Sequence, residues 1–526
     1  MEARHTHWWE TRGFAAALVL ISMLPLLWPT VPPLVDLPGH MGRYQVELAG
    51  GANPALAQFY TFRWALIGNL GVDLLIIPMA KLFGLELGIK LIVMTIPALT
   101  VGGLIWICRE VNREVQPMAL FALPLAYGHP FQFGFVNFAL AMALALMAFA
   151  LWLRLARLGL LRLRALIFLL IGPVIWVTHT YGWGMLGVAA FSAELIRQHD
   201  KSRAEGDGSW PRSIFWASVH CLSLAPPLIL MILWRSGAHV GGQTGDWFNW
   251  SAKLLWLNLT LRDRWRWFDA ASLAVIVLAL FAALRDPRLQ FSRNLAATAI
   301  FLALTFLCLP RIVFGSAYAD MRLTPYMFAI ALIAIRLKPD TSMRFAGRLA
   351  AAGLAFYLVR IAATTASFFL YGQSIDRVTA ALPNLPRGAR VVSFVGASCV
   401  PNWATNRMEH VPAMAIVRRD AFSNDQWNMA GAQLLRAHIS TRRWFNSDPS
   451  QIVTAGKCRG EWWKSLNWSL ANFPRDTFDY VWLLDPPPYN RYWTRGLAPV
   501  WRDGTSVLYR VVDRTQPRPS PDAFKS

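Results

Sequence analysis

The stretch that decides the fold is residues 14–43, FAAALVLISMLPLLWPTVPPLVDLPGHMGR. Residues 14–28 are almost entirely apolar and follow Arg4 and Arg12, so they predict a membrane anchor whose start is cytoplasmic. No small-x-small cleavage site follows the apolar run, which favours an uncleaved anchor over a signal peptide. The charged residues that come next therefore emerge on the outer side of a membrane.

The composition of the whole chain is typical of an integral membrane protein. Of its 526 residues, 55% are hydrophobic and only 15% are charged, and the chain contains 25 Trp and 31 Phe. This composition excludes an ordinary soluble protein. The formal charge of +21 comes from small clusters of Lys and Arg between apolar runs, which orient membrane proteins. Because no recognisable nucleic-acid-binding fold accompanies the charge, we expect no nucleic acid partner.

Apolar runs recur as far as residue 370 and predict an α-helical polytopic membrane protein with about eleven transmembrane helices. The runs after the first are 88–108, 117–128, 136–153, 165–182, 183–196, 213–234, 270–284, 294–310, 324–336 and 347–370. If every basic loop is cytoplasmic, the crossings alternate only when 69–84 does not cross. That window contains Asp73, Pro78 and Lys81, and it suits an amphipathic helix at the outer interface.

The composition changes after about residue 373. The stretches ARVVSFVG, FDYVWLLD and TSVLYRVVD are β-branched or aromatic, and they alternate with helix-like segments such as NMAGAQLLRAH (428–438). This pattern indicates a small soluble α/β domain. The predicted organisation is a transmembrane domain at 1–372 with an outward loop at 31–68 and an interfacial helix at 69–84, a periplasmic domain at 373–513 and a disordered tail at 514–526.

Two of the five cysteines, Cys399 and Cys458, lie in the outward domain, where oxidation is allowed. A disulfide between them would stabilise the domain by roughly 4 kcal/mol on the chain-entropy estimate. A disulfide and two free thiols both remain open from the sequence alone.

Asp36 has two interpretations. An Asp two residues before a Pro is a good helix N-cap. An ionised carboxylate beside the hydrocarbon is costly, however, unless it is paired or functional. At the outer lipid boundary it could act as a general base that removes the proton of an attacking hydroxyl. His40, four residues later, would share a helix face with Asp36 and could orient it or bind the acceptor; alternatively, His40 is an ordinary polar surface residue.

Two further histidines fall on the same outward side, His129 before PFQFGF and His179 in VTHTYGW. Each either lines a site or is satisfied by backbone or water. Three histidines with an Asp could also bind a metal. No two of these histidines have an i, i+4 or H-x-H spacing, so we expect no divalent metal and no other cofactor.

Arg311 and Arg322 flank the outer ends of two late spans, in PRIVFGSAYADMRLTP. They could extend to lipid headgroups, and Arg322 could pair locally with Asp320. The alternative is that Arg322 binds a lipid phosphate, because a guanidinium makes bidentate, charge-assisted contacts with phosphate oxygens.

This layout resembles the GT-C class of membrane glycosyltransferases, the relatives of protein O-mannosyltransferases and of aminoarabinose transferases and other bacterial enzymes that decorate lipid A or envelope polysaccharide. In particular, DLPGHMGR (36–43) resembles the D-x-P-x-H-x-x-R stretch of uncharacterised bacterial members of the class. The resemblance covers roughly residues 10–370, and it is carried mainly by the first hundred.

The resemblance implies an inverting hexosyl- or pentosyltransferase in a bacterial inner membrane, with the C-terminal domain in the periplasm. Its donor would be a polyprenyl-phosphate-linked sugar and its acceptor an envelope glycan or lipid, among membrane lipids. Asp36 takes the place of the family's base, and Arg322 with Arg43 would neutralise the phosphate leaving group. Many relatives carry a second acid, for which Asp73 and Asp320 are the candidates here. No nucleotide-sugar site is expected.

Two other functions compete with this one. The first is a multi-pass transporter or lipid flippase, but the spans contain almost no charges at mid-membrane depth, where coupled transporters usually keep ionisable groups. The second is a non-catalytic envelope assembly partner whose working surface is the C-terminal domain. An assembly partner would not need the carboxylate of Asp36, whereas a transferase would.

Overall fold

The computed structural model describes residues 7–236, 242–400, 402–427, 433–439 and 443–517. The α-helices of these residues are, in chain order, α1 Arg12–Ile21, α2 Leu37–Ala49, α3 Pro54–Ala57, α4 Gly71–Phe83, α5 Leu85–Asn112, α6 Ala119–Ala122, α7 His129–Phe133, α8 Val136–Arg157, α9 Leu161–Thr178, α10 Thr180–Ala204, α11 Trp210–Cys221, α12 Pro227–Arg235, α13 Trp250–Asn258, α14 Arg266–Arg285, α15 Arg293–Cys308, α16 Thr324–Ile333, α17 Met343–Thr379, α18 Met414–Arg419 and α19 Leu466–Asn472. The strands are β1 Tyr60–Phe62, β2 Leu289–Phe291, β3 Ile335–Leu337, β4 Val391–Gly396, β5 Leu435–Ala437, β6 Ile452–Thr454, β7 Lys464–Ser465, β8 Tyr480–Leu484, β9 Leu497–Asp503 and β10 Ser506–Val511.

The chain divides into two compact units, and the domain boundaries expected from the sequence stay a prediction. The first unit comprises Met1–Trp28, Leu66–Leu75 and Leu91–Ser367, and the second comprises Pro29–Ala65, Ile76–Lys90 and Phe368–Ser526. Most of the expected outward loop, 31–68, therefore belongs to the same unit as the C-terminal region. Of the expected disordered tail, 518–526 lies outside the described residues.

Apolar helices make up most of the first unit. In the described residues, five helices are long and apolar enough to cross a membrane: Leu85–Asn112, Val136–Arg157, Leu161–Thr178, Arg266–Arg285 and Met343–Asn384. The helices Trp210–Leu224 and Pro227–Arg235 form a sixth candidate that bends by 64°. Arg12–Leu26, Arg293–Cys308 and Met321–Ile333 are shorter apolar helices. Nine of the expected spans thus coincide with an apolar helix or a bent pair.

The other two expected spans fall on different structures. Residues 183–196 lie inside the longer helix α10. Residues 117–128 contain only the four-residue helix α6 and a five-residue 3-10 helix, Leu123–Tyr127. Neither of these two short helices is long enough to cross the roughly 30 Å hydrocarbon core. The total of eleven crossings stays a prediction, as does the interfacial position of α4.

Helix α8 is the central helix of the first unit. It has 22 residues, VNFALAMALALMAFALWLRLAR, and is buried along most of its length. Its many alanines allow neighbouring helices to approach closely, as small residues do in membrane proteins. At Gly182 of α10, an added Cβ would lie 2.6 Å from the carbonyl oxygen of Ala141. Only glycine fits there, so this contact sets the spacing of α8 and α10.

The C-terminal part of the second unit contains a six-stranded sheet in the order β7-β6-β4-β8-β10-β9. Strand β4 is parallel to β6 and β8, while β10 is antiparallel to β8 and β9. The three stretches expected to be strands form β4, β8 and β10, so a C-terminal sheet domain is confirmed. The expected helix at 428–438 is wrong for residues 435–437, which form β5; residues 428–432 lie outside the described part.

Strand pairing explains why the outward loop belongs to the second unit. Strand β1 pairs antiparallel with β5, with Tyr60 opposite Ala437. The hydroxyl of Tyr60 donates a 3.0 Å hydrogen bond to the carbonyl oxygen of Ser423. Val46, Leu56 and Phe59 also belong to the hydrophobic core that contains Val392 and Phe394 of β4. This loop is thus an integral part of the C-terminal fold.

Cys399 and Cys458 form a disulfide, with their Cα atoms 5.3 Å apart. The bond joins two residues of the second unit that are 59 positions apart in the sequence. Of the two possibilities left open by the sequence, the structure contains the disulfide.

Replacing both bridged cysteines with serine should lower the free energy of unfolding of the second unit by about 4 kcal/mol, since the bond restricts the unfolded chain. Pulse proteolysis of the full chain in urea, with and without reductant, measures the change. The matched control is Cys308→Ser, which removes a free thiol and should have little effect. An unfolding midpoint of the double variant equal to that of the wild type would contradict the prediction.

Candidate functional site

Asp36 occupies the N-cap position of helix α2. Pro38 fits the first turn because the backbone N–H that it lacks would have no helical partner there, and the helix ends at Gly50 in the left-handed region. The Asp36 side chain is largely buried, with 9% exposure, and it accepts no capping hydrogen bond from α2. The structure therefore does not use the carboxylate of Asp36 in the way that the capping interpretation requires.

His40 lies one turn further along α2. Its ring centroid is 5.0 Å from that of Trp427 and 6.3 Å from that of Tyr44. Burial, followed by the charges of Arg43 and His410, holds the pKa of His40 well below its ordinary value. The Nδ1 atom is buried and has no hydrogen-bond partner in the part of the chain that the structure describes. His40 is thus a neutral imidazole.

Arg43 is buried on the same helix, with 2% exposure. Its Nη1 donates to the side-chain oxygen of Gln433, and its guanidinium lies 5.0 Å from the ring centroid of Tyr44. These contacts fix the position of the guanidinium within the second unit.

Sequence reasoning missed His410, a buried residue in the same unit. Its ring centroid is 4.2 Å from that of Trp427, and its Nδ1 lies 3.1 Å from the carbonyl oxygen of Asp425. Burial alone lowers the pKa of His410, but a hydrogen bond with Asp425 and the charges of three other carboxylates outweigh it and raise the pKa to about 10. Those carboxylates belong to Asp36, Glu409 and Asp448. His410 is therefore a fixed cation at neutral pH, in electrostatic reach of Asp36.

The glycines of α2 allow this close approach. A Cβ on Gly39 would lie 2.7 Å from Cη2 of Trp427 and 3.1 Å from Nδ1 of His410. The carbonyl oxygen of Gly39 also accepts a 3.1 Å hydrogen bond from the side chain of Gln426. Any larger residue at position 39 would push Trp427 and His410 away from α2.

Arg322 lies in the first unit, in a 3-10 turn before α16. Its guanidinium carbon is 4.4 Å from the ring centroid of Phe135, 5.6 Å from that of Phe138 and 5.9 Å from that of Tyr181. Nη2 donates a 3.2 Å hydrogen bond to Oγ of Ser316. The aromatic rings keep the guanidinium largely out of water, with 8% of the residue exposed. In such surroundings charged hydrogen bonds are stronger than in water.

His179 joins α9 to α10 and presents one ring nitrogen to Arg322. Its Nδ1 accepts a 3.1 Å hydrogen bond from the backbone N–H of Tyr181, so the proton of the neutral ring is on Nε2. An Nδ1 atom that accepts this hydrogen bond carries no proton, so the ring is neutral. Nε2 lies 3.5 Å from Nη1 of Arg322. Both nitrogens are hydrogen-bond donors, and their proximity suits an anionic acceptor.

Asp320 is committed to a different partner. Its carboxylate lies 3.4 Å from Nζ of Lys253, and it caps the 3-10 turn by accepting a hydrogen bond from the backbone N–H of Met321. Lys253 is itself held by the carbonyl oxygens of Phe306 and Leu309. Asp320 therefore positions the turn that carries Arg322, and its role as a site residue stays a prediction.

His129 and Arg311, also in the first unit, have contacts of their own. The backbone N–H of His129 donates to the carbonyl oxygen of Thr260 over 2.9 Å, and its buried ring packs edge-on against Phe133 at 5.9 Å. Arg311 forms an ion pair with Asp246. These two residues support the loops around Arg322, and their binding roles stay predictions.

The sequence-predicted residues fall into two sets. The second unit contains Asp36, His40 and Arg43, and the first unit contains His129, His179, Arg311, Asp320 and Arg322. Asp73, the other candidate for a second acid, is 1% exposed and accepts a 2.9 Å hydrogen bond from Asn137. Within the described residues, no group of three His, Cys, Asp or Glu side chains has the geometry of a metal site.

Comparison with known proteins gives a likeness of fold. The structure is similar to the crystal structure of ArnT from Cupriavidus metallidurans bound to undecaprenyl phosphate, with a TM-score of 0.48 and 13% sequence identity. The similarity covers 96% of this chain and 98% of that one. No family model matches the sequence. No curated protein matches it either.

Proposed function

We propose that this chain is an integral membrane glycosyltransferase that moves a sugar from a polyprenyl-phosphate donor to an envelope acceptor. In this proposal the reaction takes place on the periplasmic face of a bacterial inner membrane and inverts the anomeric carbon. Asp36 is the general base, and Arg322 with His179 binds the donor phosphate.

The observation that carries the proposal is the proximity of two hydrogen-bond donors, one from Arg322 and one from His179. A guanidinium and a neutral imidazole N–H, 3.5 Å apart, suit the oxygens of a phosphate group. The surrounding Phe135, Phe138 and Tyr181 rings exclude water, which strengthens the interaction with developing negative charge. A polyprenyl phosphate leaving group acquires such charge when its bond to the sugar breaks.

Asp36 supports the other half of the reaction. Its carboxylate is neither consumed by capping α2 nor exposed to bulk water, and His410 supplies a positive charge in its reach. A general base must be ionised before it can accept a proton. The D-x-P-x-H-x-x-R resemblance assigns the same role to this residue.

The proposed chemistry is a single displacement. The acceptor hydroxyl oxygen attacks the anomeric carbon, its proton passes to the carboxylate of Asp36, and the bond between the anomeric carbon and the phosphate oxygen breaks. The electron pair of that bond leaves with the phosphate, where Arg322 and His179 stabilise it. Attack opposite to the leaving group inverts the anomeric centre.

Binding of polyprenyl phosphate to the purified full chain in nanodiscs tests the phosphate assignment. We expect the wild type to bind polyprenyl phosphate at least tenfold more tightly than the uncharged polyprenol, and Arg322→Gln to lose that preference. Arg266→Gln is the matched control, because Arg266 is an exposed arginine at the start of α14. Equal binding of the two lipids by the wild type would overturn the assignment.

Envelope glycans with and without the gene test the activity itself. Loss of the gene should remove one sugar from an envelope glycan or lipid, and the wild-type gene should restore it while the Asp36→Asn gene should not. Restoration by both genes would instead favour an assembly partner.

A further inference from the structure

A second cluster of arginines lies in the first unit, at the opposite end of α8 from Phe135 and Phe138. Helix α8 has 22 residues, so the two ends are about 33 Å apart. At the far end, Arg154 and Arg157 occupy the last turn of α8. They face a cavity of about 400 Å³, whose lining residues are Arg12, Trp106, Arg109, Glu110, Arg113, Arg154 and Arg157.

The cavity carries a large excess of positive charge. Five arginines and one glutamate line it, so its formal charge is four positive. The carboxylate of Glu110 is already shared: it accepts hydrogen bonds from both Nε and Nη2 of Arg157, from Arg154 and from the indole N–H of Trp106. The remaining guanidiniums therefore have no carboxylate of the cavity to neutralise them.

The side chains of three arginines of this cavity have no hydrogen-bond or ion-pair partner in the part of the chain that the structure describes: Arg12, Arg109 and Arg113. Arg12 is also the first residue of α1, which has no acidic residue in its first turn. A cation at a helix N-terminus is unfavourable because the helix dipole is positive there. Arg113 adopts a left-handed backbone with φ of 67°, which is uncommon for a residue other than glycine.

A role in orienting the chain in the membrane does not account for this arrangement. Such a role requires only that basic residues occur in the loops on one side, and it does not require them to meet around a cavity. The convergence of Arg12, Arg109 and Arg113 from two separate helix ends, α1 and α5, is instead the arrangement expected of an anion site.

We infer that this cavity binds the phosphate of an anionic ligand. Guanidinium groups bind phosphate oxygens with matched, charge-assisted geometry, and the volume falls in the roughly 300–1,000 Å³ range of small-molecule sites. The source of the phosphate is either the headgroup of an anionic membrane lipid or a soluble phosphate. Basic pockets between membrane helices commonly hold lipid headgroups. The inference concerns a different site from Arg322 and does not rest on the proposed transferase activity.

Native mass spectrometry of the detergent-solubilised full chain tests the inference with three probes: phosphatidylglycerol, zwitterionic phosphatidylcholine and inorganic pyrophosphate. The variant Arg109→Gln/Arg113→Gln should bind phosphatidylglycerol at least tenfold more weakly than the wild type, since each arginine near a lipid surface contributes roughly 1 kcal/mol. The matched control is Arg344→Gln/Arg348→Gln, which removes two exposed arginines at the start of α17. We expect the control to change binding less than twofold.

Preferential binding of phosphatidylglycerol over phosphatidylcholine, not displaced by pyrophosphate, identifies a lipid headgroup as the ligand. Displacement by pyrophosphate identifies a soluble phosphate, and both results support the site. If the double variant does not fold, Arg12→Gln replaces it. Arg12 is exposed, and its replacement removes an unfavourable cation from the positive end of the α1 dipole, so α1 should stay folded. This variant should weaken binding about fivefold. Equal loss in the cavity variants and the control, or no anion preference in the wild type, would overturn the inference.

Discussion

Sugar transfer by the Asp36→Asn variant is expected to fall roughly 10²–10⁴-fold, the contribution of a positioned general base. Asparagine has the same shape as aspartate but accepts no proton at neutral pH. Because the side chain at position 36 makes no capping hydrogen bond to α2, the substitution should leave the stability of α2 unchanged and the protein should fold. Initial rates of sugar transfer in nanodiscs, with a synthetic polyprenyl-phosphate sugar, measure the loss.

The control for this prediction is Asp476→Asn, which removes an exposed acid of the same unit and should leave the rate unchanged. Asp36→Glu restores the carboxylate at a shifted position and should recover part of the rate. Wild-type turnover by Asp36→Asn would exclude the residue as the base. A loss of folded protein, seen as a lowered melting temperature, would show that the side chain acts structurally.

The Arg322→Gln variant should reduce kcat about 10²–10³-fold, which is the usual cost of removing one donor that stabilises developing charge. Glutamine keeps a hydrogen-bond donor near Ser316 but loses the positive charge and the planar fork. Single-turnover rates at saturating donor separate this loss of kcat from weaker binding. Product analysis also gives the configuration at the anomeric carbon.

Arg322→Lys distinguishes charge from geometry. If the planar, bidentate geometry of the guanidinium matters, Arg322→Lys should recover only part of the rate. If positive charge alone suffices, Arg322→Lys should recover most of the rate. Arg266→Gln is again the matched control and should not change kcat. A wild-type kcat in Arg322→Gln would remove this arginine from the reaction.

Local patterns in the sequence predicted most of the secondary structure that positions these residues. The apolar run of α8 is long and the β-branched or aromatic stretches of β4 and β8 are short, and this difference in length distinguishes helix from strand. The helix predicted at β5 was wrong. The sequence LLRAH contains good helix formers, but the pairing of this segment with β1, about 375 residues earlier in the chain, overrides that preference.

Some residues of the candidate site could also be identified from the sequence, and others could not. Asp36 and Arg322 could be singled out because each is a charge beside an apolar run. His410 could not, because its neighbour Trp427 and the carboxylates around it come from separate segments and follow no spacing rule. The polar stretch SNDQ (423–426), which the structure buries, was the available signal. The arginines at the far end of α8 were attributed to topology, since no sequence pattern shows that they meet.

The pairing of β1 with β5 constrains how the protein can be made. Residues 46–60 leave the ribosome early, yet their partners near residues 392, 422 and 435 are synthesised hundreds of residues later. At about 5–20 residues per second, the early segment waits roughly 20–80 s with Phe59 and Tyr60 unpacked. A chaperone that shields this segment during synthesis should therefore raise the yield of the full-length protein, and truncation after α17 should leave the segment permanently exposed to proteases.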